Sequence, residues 1–296
     1  GNACGVDLRK AGEAIMGAMK AVNPNAVWVV QAWGACPYPA MIKHLNNGDM
    51  LVLDLYSENR PQWGDPESTW YRKEGFNGHD WAFCMLLNFG GNVGMFGKLQ
   101  HVVDEYYKAR QSKFASTLKG VGLTMEGIEN NPVMYELVSE LPWRDAKFAW
   151  KEWLHDYVEA RYGNINNAKV HDAWLLLARS VYGAGAKIVE QGCHESVLCA
   201  RPALDVYQVS SWSEMEEFYN PDDVIRAAQL MVEASHEVKA NANFRYDLVD
   251  VTRQAIAEQA RYVYDEIVAA YKAKDRKMFD YTTKRFLDIL LQQDRL

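Results

Sequence analysis

The sequence predicts an α/β region followed by an all-α region, with the change at Leu141-Pro142. Three observations predict it. Four short apolar, β-branched runs alternate with helical stretches over residues 1–142. Each run ends in a polar or aromatic residue beside a glycine or an asparagine. Beyond Pro142 strand signals stop, and five segments with helical periodicity follow, separated by breakers such as Gly163-Asn164 and Asn220-Pro221. Alternation with short connections means a parallel sheet with crossover helices. A complete (β/α)8 barrel needs about 250 residues. Four strands therefore fit either an open α/β sheet or half of a barrel.

Asp7–Ala21 reads as a helix, with Ile15, Met16, Met19 and Val22 on one face and Asn23-Pro24 as its stop. The run from Ala26 to Trp33 is a buried parallel-type strand ending at Gly34, and Pro39–Leu45 a short helix. Met50–Tyr56 is the second buried strand, with Ser57-Glu58-Asn59 at its exit. A long polar and aromatic loop holds Trp63, Trp70, Tyr71 and Phe76. Trp81–Asn88 is the third strand, with the Gly-rich exit Phe89-Gly90-Gly91-Asn92, and Leu99–Arg110 is helical. Val121–Met125 is the fourth strand, delivering Glu126 before Gly127, and a helix with Val133, Leu137 and Leu141 follows Pro132. The later helices are 147–161, 168–181, 221–238, 246–272 and 276–292, and Gly192–Tyr219 reads as loop.

Composition narrows the function. The chain has 296 residues, 49% hydrophobic and 24% charged, which is globular. A net charge of −7 argues against nucleic acid and anionic membranes, and no apolar run is long enough to span a bilayer. Ten Trp and sixteen Tyr are enough for sugar-stacking platforms as well as core. Five widely spaced cysteines form neither a disulfide framework nor a Cys-x-x-Cys metal site. Cys193-His194 has no second pair, so no metal is predicted. No glycosylation sequon occurs, which argues against a eukaryotic secreted or lysosomal source. The histidines, His155 and His171 among them, accompany no Ser or Cys nucleophile motif and read as surface or satisfied interior residues.

The four strand exits carry Trp33, Asp54 with Glu58, Asn88, and Glu126. In a barrel such positions converge on one pocket. An aromatic packs a sugar ring, an amide binds hydroxyls, and two carboxylates do glycosidase chemistry. Taken singly, Trp33 also fits core, Asp54 a turn cap, Asn88 a turn former and Glu126 a solvated loop residue. Gly90-Gly91 lacks the following Lys-Ser/Thr of a phosphate cradle.

Several long motifs resemble one family. They are Val27-Trp28-Val-Val-Gln31-Ala-Trp33, Leu51-Val-Leu-Asp54-Leu-Tyr56-Ser-Glu58, Cys84-Met-Leu-Leu-Asn88-Phe-Gly-Gly-Asn92 and Met125-Glu126-Gly-Ile in the α/β region. Ala160-Arg161-Tyr162-Gly163 and Phe244-Arg245-Tyr246-Asp247 belong to the helical one. Together they resemble the α-N-acetylglucosaminidases, glycoside hydrolase family 89, over essentially the whole chain.

The resemblance implies that residues 1–142 are the C-terminal half of a (β/α)8 TIM-type barrel, about four β/α units, and 143–296 part of an all-α domain. It implies a retaining exo-glycosidase for glycans ending in α-linked N-acetylglucosamine, needing no cofactor. Glu126 falls on the nucleophile, Trp33 on a sugar-contacting aromatic, and His194 on a ring-hydroxyl contact. Asn88, Asp54 and Glu58 are candidate sugar contacts in family motifs, and Asn88 is an expected donor to Glu126. The family's acid/base Glu falls before Gly1, so the isolated chain is expected to be inactive and to need the rest of its parent chain. Raw barrel edges would favour a homo-oligomer or a compact non-barrel sheet. By resemblance the setting is secreted or periplasmic and bacterial. Two alternatives stay open: a non-catalytic carbohydrate-binding or scaffold piece, and another glycosidase pairing Glu58 with Glu126.

Overall fold

A computed structural model describes residues 5–90, 92, 94–126, 131–185, 196–209 and 217–296. Contacts divide the chain into two compact units. The first comprises residues 1–87, 101–125 and 135–147; the second 88–100, 126–134 and 148–296. The segments leaving the third and fourth strands fall in the second, helical unit.

Among its described residues the first unit holds one parallel sheet of β1 (Trp28–Ala32), β2 (Met50–Asp54), β3 (Asp80–Met85) and β4 (Leu118–Leu123). Strand order is β1-β2-β3-β4. Each strand lies next to its sequence neighbour, with no reversal of winding. A doubly wound sheet reverses at a switch point, whereas consecutive barrel units do not. Register pairs Trp28 with Met50, Leu51 with Asp80 and Phe83 with Val121, with an irregularity at Trp81/Ala82.

β2 and β3 are the buried centre: Met50, Val52, Phe83, Cys84 and Met85 are at most 1% exposed. The expectation of a buried strand fails for β1. It pairs only with β2, and Val29 stays 54% exposed. β4 likewise begins at Leu118, not Val121, and its burial is intermediate.

α1 (Leu8–Val22) is capped by Asp7, whose carboxylate accepts from the Arg9 and Lys10 amides. Its buried residues are Gly12 and Met16, while Ile15 and Val22 are exposed. Gly12 explains the shifted face. A Cβ there would lie 2.3 Å from the Met41 carbonyl oxygen, so α2 (Pro39–Ile42) approaches α1 only over a glycine.

Between β2 and β3 the chain makes no α-helix. Trp63 and Phe76 are 3% and 2% exposed, and Trp63 stacks on Trp81 at 6.0 Å, so this loop covers the sheet with its aromatics. α3 (Leu99–Arg110) precedes β4, and α4 (Pro132–Glu140) follows it in sequence.

The second unit packs α5 (Trp150–Tyr162), α6 (Ala168–Arg179), α7 (Pro221–Val238), α8 (Ala242–Lys272) and α9 (Arg276–Arg295) in succession. Each boundary has a local cause. Gly163 ends α5 in the left-handed conformation, φ 81°. Asn167, Asn220, Asn241 and Asp275 cap α6 to α9 through side-chain acceptors. A buried ion pair ties α5 to α8: Asp247 of α8 accepts from Arg161 Nε at 2.5 Å and Nη2 at 2.8 Å, and from the Tyr162 hydroxyl at 2.6 Å. Trp174 Nε1 completes the network by donating to Tyr162. Among the described residues no helix is long and apolar enough to cross a membrane.

Candidate active site

In the first unit the carboxyl ends of β1 and β2 assemble an aromatic cluster. Trp33 follows β1 directly and is 41% exposed. Its backbone closes a tight turn with Cys36, in which Gly34 takes φ 56°. Tyr56 stacks on Trp33 at 6.0 Å and 24°, and Trp70 meets it edge-on at 4.7 Å. Arg60 lies over the Trp70 ring. An exposed indole supported by two further rings is a rigid face for a pyranose.

Arg72 fixes that turn. Its guanidinium donates to the Pro37 and Ala35 carbonyls at 2.7 and 3.0 Å, and to Gln62 Oε1 at 2.8 Å. Sequence reading overlooked Tyr56, Trp70 and Arg72. An aromatic two residues past the β2 end was the available signal for Tyr56; the folding back of the loop that brings in the others had none.

Asp54 and Glu58, the expected sugar contacts at the β2 exit, are both buried. Asp54 is 0% exposed, and its Oδ2 accepts from the Gln62 and Trp63 amides at 2.8 and 3.2 Å. Burial pushes its pKa up to about 7, against the stabilising amides, Ser57 and the charge of Arg72. It holds the aromatic loop to β2. Glu58 is 2% exposed, and its Oε1 accepts from the Leu86 and Leu87 amides at 2.9 and 2.8 Å. Leu87 has φ 70°, a strained conformation for a leucine. The Glu58 carboxylate therefore pins the sharp bend that ends β3. His101 Nε2 lies 2.7 Å from the Glu58 carbonyl oxygen. Through these oxygens, Asp54 Oδ2 and Glu58 Oε1, each carboxylate holds a loop in place.

Within the second unit, Glu126 is exposed, three residues beyond the end of β4. Its Oε2 accepts from the Gly90 amide at 2.6 Å. Gly90 has φ 62°, a conformation glycine supplies without strain. Asn88, the expected donor to Glu126, is fully buried and donates instead to the Asn92 carbonyl. The donor to Glu126 is thus a backbone amide and not the Asn88 side chain. Asn131 Oδ1 accepts from the Phe96 amide at 2.9 Å, and Gln254 Oε1 of α8 from the Met95 amide at 3.1 Å, so Met95 and Phe96 are also held. His194 and Gly127 lie outside the described residues.

A parallel sheet wound in one direction, with aromatic and acidic residues at its carboxyl ends and a helical unit beside it in sequence, defines a TIM-barrel type of chain with a C-terminal helical domain. Comparisons with known proteins agree. Residues 2–145 match the model of the α-N-acetylglucosaminidase TIM-barrel domain and residues 153–296 that of its C-terminal domain. Human α-N-acetylglucosaminidase is 35% identical over 278 residues, 90% of this chain and 35% of the human protein. A family 89 glycoside hydrolase from Clostridium perfringens, solved with PUGNAc, superposes with a TM-score of 0.84 at 28% identity, covering 98% of this chain and 32% of that one. The same bacterial enzyme with two Glu→Gln substitutions, solved with its substrate GlcNAc-α-1,4-galactose, gives a TM-score of 0.85. This chain belongs to the α-N-acetylglucosaminidase family. It spans about a third of the length of the relatives it matches.

Proposed function

We propose that this chain carries the nucleophile of a retaining exo-glycosidase that releases terminal, non-reducing α-linked N-acetylglucosamine, and that Glu126 is that nucleophile. The observation that carries the reading is the exposed Glu126 carboxylate just past β4, held through one oxygen by the Gly90 amide. The Gly90 amide fixes the orientation of the carboxylate, and the other oxygen attacks. Family membership and the bacterial relative's complex with GlcNAc-α-1,4-galactose support the substrate class.

In this mechanism Glu126 bonds to the anomeric carbon as the glycosidic C–O bond breaks. A second carboxylic acid, about 5 to 5.5 Å away in retaining enzymes, protonates the leaving oxygen and then activates the water that releases the sugar. Trp33, backed by Tyr56 and Trp70, packs the sugar ring, and Arg72 holds its turn. In the polypeptide that carries this sequence, Glu126→Gln lowers kcat on an aryl α-N-acetylglucosaminide by at least about 10³-fold. Sugar binding, read by calorimetry, is retained. Substantial residual turnover contradicts the assignment.

A further inference from the structure

The helical unit holds a cluster of ligating side chains that the glycosidase reading does not use. His155 and Glu159 stand four residues apart on α5, hence on one face, and α6 contributes His171. His171 Nε2 lies 2.5 Å from Glu159 Oε1. The rings of His155 and His171 are stacked at 4.6 Å with 11° between planes. One ligand atom from each of the three residues lies within 4.8 Å of the other two.

An ordinary ion pair accounts for Glu159 and His171; the second imidazole has the exposed Asp156 carboxylate at 3.6 Å, which does not explain its stacking on His171. Among the described residues no lysine or arginine pairs with Glu159, and Arg161 at the end of the same helix is taken by Asp247. Glu159 also accepts from the Asn166 amide at 3.2 Å, which orients it from the α5–α6 turn. Oriented carboxylate ligands of this kind are typical of metal sites.

We propose that His155, Glu159 and His171 form a binding site for a divalent transition-metal ion, Zn²⁺ foremost, that clips α5 to α6. Two imidazoles and a carboxylate are a zinc donor set, with water filling the remaining position. Tetrahedral bonds of about 2.0 to 2.2 Å separate neighbouring ligand atoms by roughly 3.3 Å. Reaching that requires the 64% exposed His155 side chain to rotate out of its stack on His171 and the 2.5 Å His171–Glu159 contact to open to admit the ion. Binding takes the neutral imidazoles and so releases any proton they carry.

The test titrates Zn²⁺ alone into the tag-free, chelator-treated protein and follows heat and melting temperature. One ion per chain and a raised Tm are expected. His155→Ala, Glu159→Gln and His171→Ala each weaken binding at least about tenfold, whereas His236→Ala on α7 leaves it unchanged. His155→Ala removes an exposed side chain and keeps the native circular dichroism, so it decides the matter even if His171→Ala fails to fold. No saturable binding, or binding that survives His155→Ala and Glu159→Gln, overturns the proposal.

Discussion

At Glu58 one carboxylate oxygen receives two consecutive amides, Leu86 and Leu87, and the second of these residues is a leucine at φ 70°. This separates positioning from chemistry. Glu58→Gln keeps an acceptor at that place, so most turnover and stability survive. Glu58→Ala leaves two buried amides without it, destabilises by about 2 kcal/mol and lowers kcat by moving the β3 exit. Urea unfolding together with kinetics of both variants checks this. A Gln variant as dead as the Ala variant would restore the reading in which Glu58 and Glu126 form the acid–base pair. At this scale the sequence singled out Trp33 and Glu126 as candidates because residues at strand exits can face a barrel's pocket. It could not show that Asp54, Glu58 and Asn88 each hold backbone, because a polar residue at a strand exit serves a bend as readily as a ligand and the partner amides and carbonyl have no local signal.

The elements were legible wherever a local cause fixed them. α3 and α7 fall on their predicted spans, with Pro221 after an Asn cap starting α7. β4 starts three residues early because Leu118 joins the ladder opposite Trp81, a long-range pairing with no local signal. α8 starts at Ala242 instead of Tyr246, since Asn241 accepts from the Phe244 amide and sets the first turn. Exposure of Val29 was equally unreadable, because β1 has the same β-branched run as a central strand and differs only in its neighbours. Between helices the Asp247 network is the feature most sensitive to change. Its carboxylate is 5% exposed and its partner Arg161 13%. Asp247→Ala strands a buried guanidinium and should cost about 3 kcal/mol, measured as a shift of the urea midpoint at constant slope. A shift no larger than that of a surface substitution would show the pair to be dispensable.

For the molecule as a whole, several carboxyls take up protons more readily when folded. Burial pushes Asp54 and Glu105 up to about 7, the latter despite Lys108, and burial with the neighbouring Glu258 pushes Glu217 up to about 8. Unfolded carboxyls titrate near 4, so between about pH 4 and 8 the folded chain binds more protons than the unfolded one. Stability contributed by these groups is present below that window and is lost as pH rises through it. Asp49, lowered by Lys20, works in the opposite sense and only at the acid end. Unfolding free energy should therefore fall from pH 5 to pH 8, and Asp54→Asn with Glu105→Gln should flatten the slope. A rising profile over that range contradicts the burial argument.

The most direct measurement concerns Glu126 in the polypeptide that carries this sequence. A slow fluorinated α-N-acetylglucosaminyl substrate traps a covalent glycosyl-enzyme in a retaining mechanism, and peptide mass spectrometry locates the label. The account predicts one sugar per chain, attached to the Glu126 side chain and absent from Glu126→Gln. A label on another carboxylate, or turnover with no trapped intermediate and an inverted product, would contradict it.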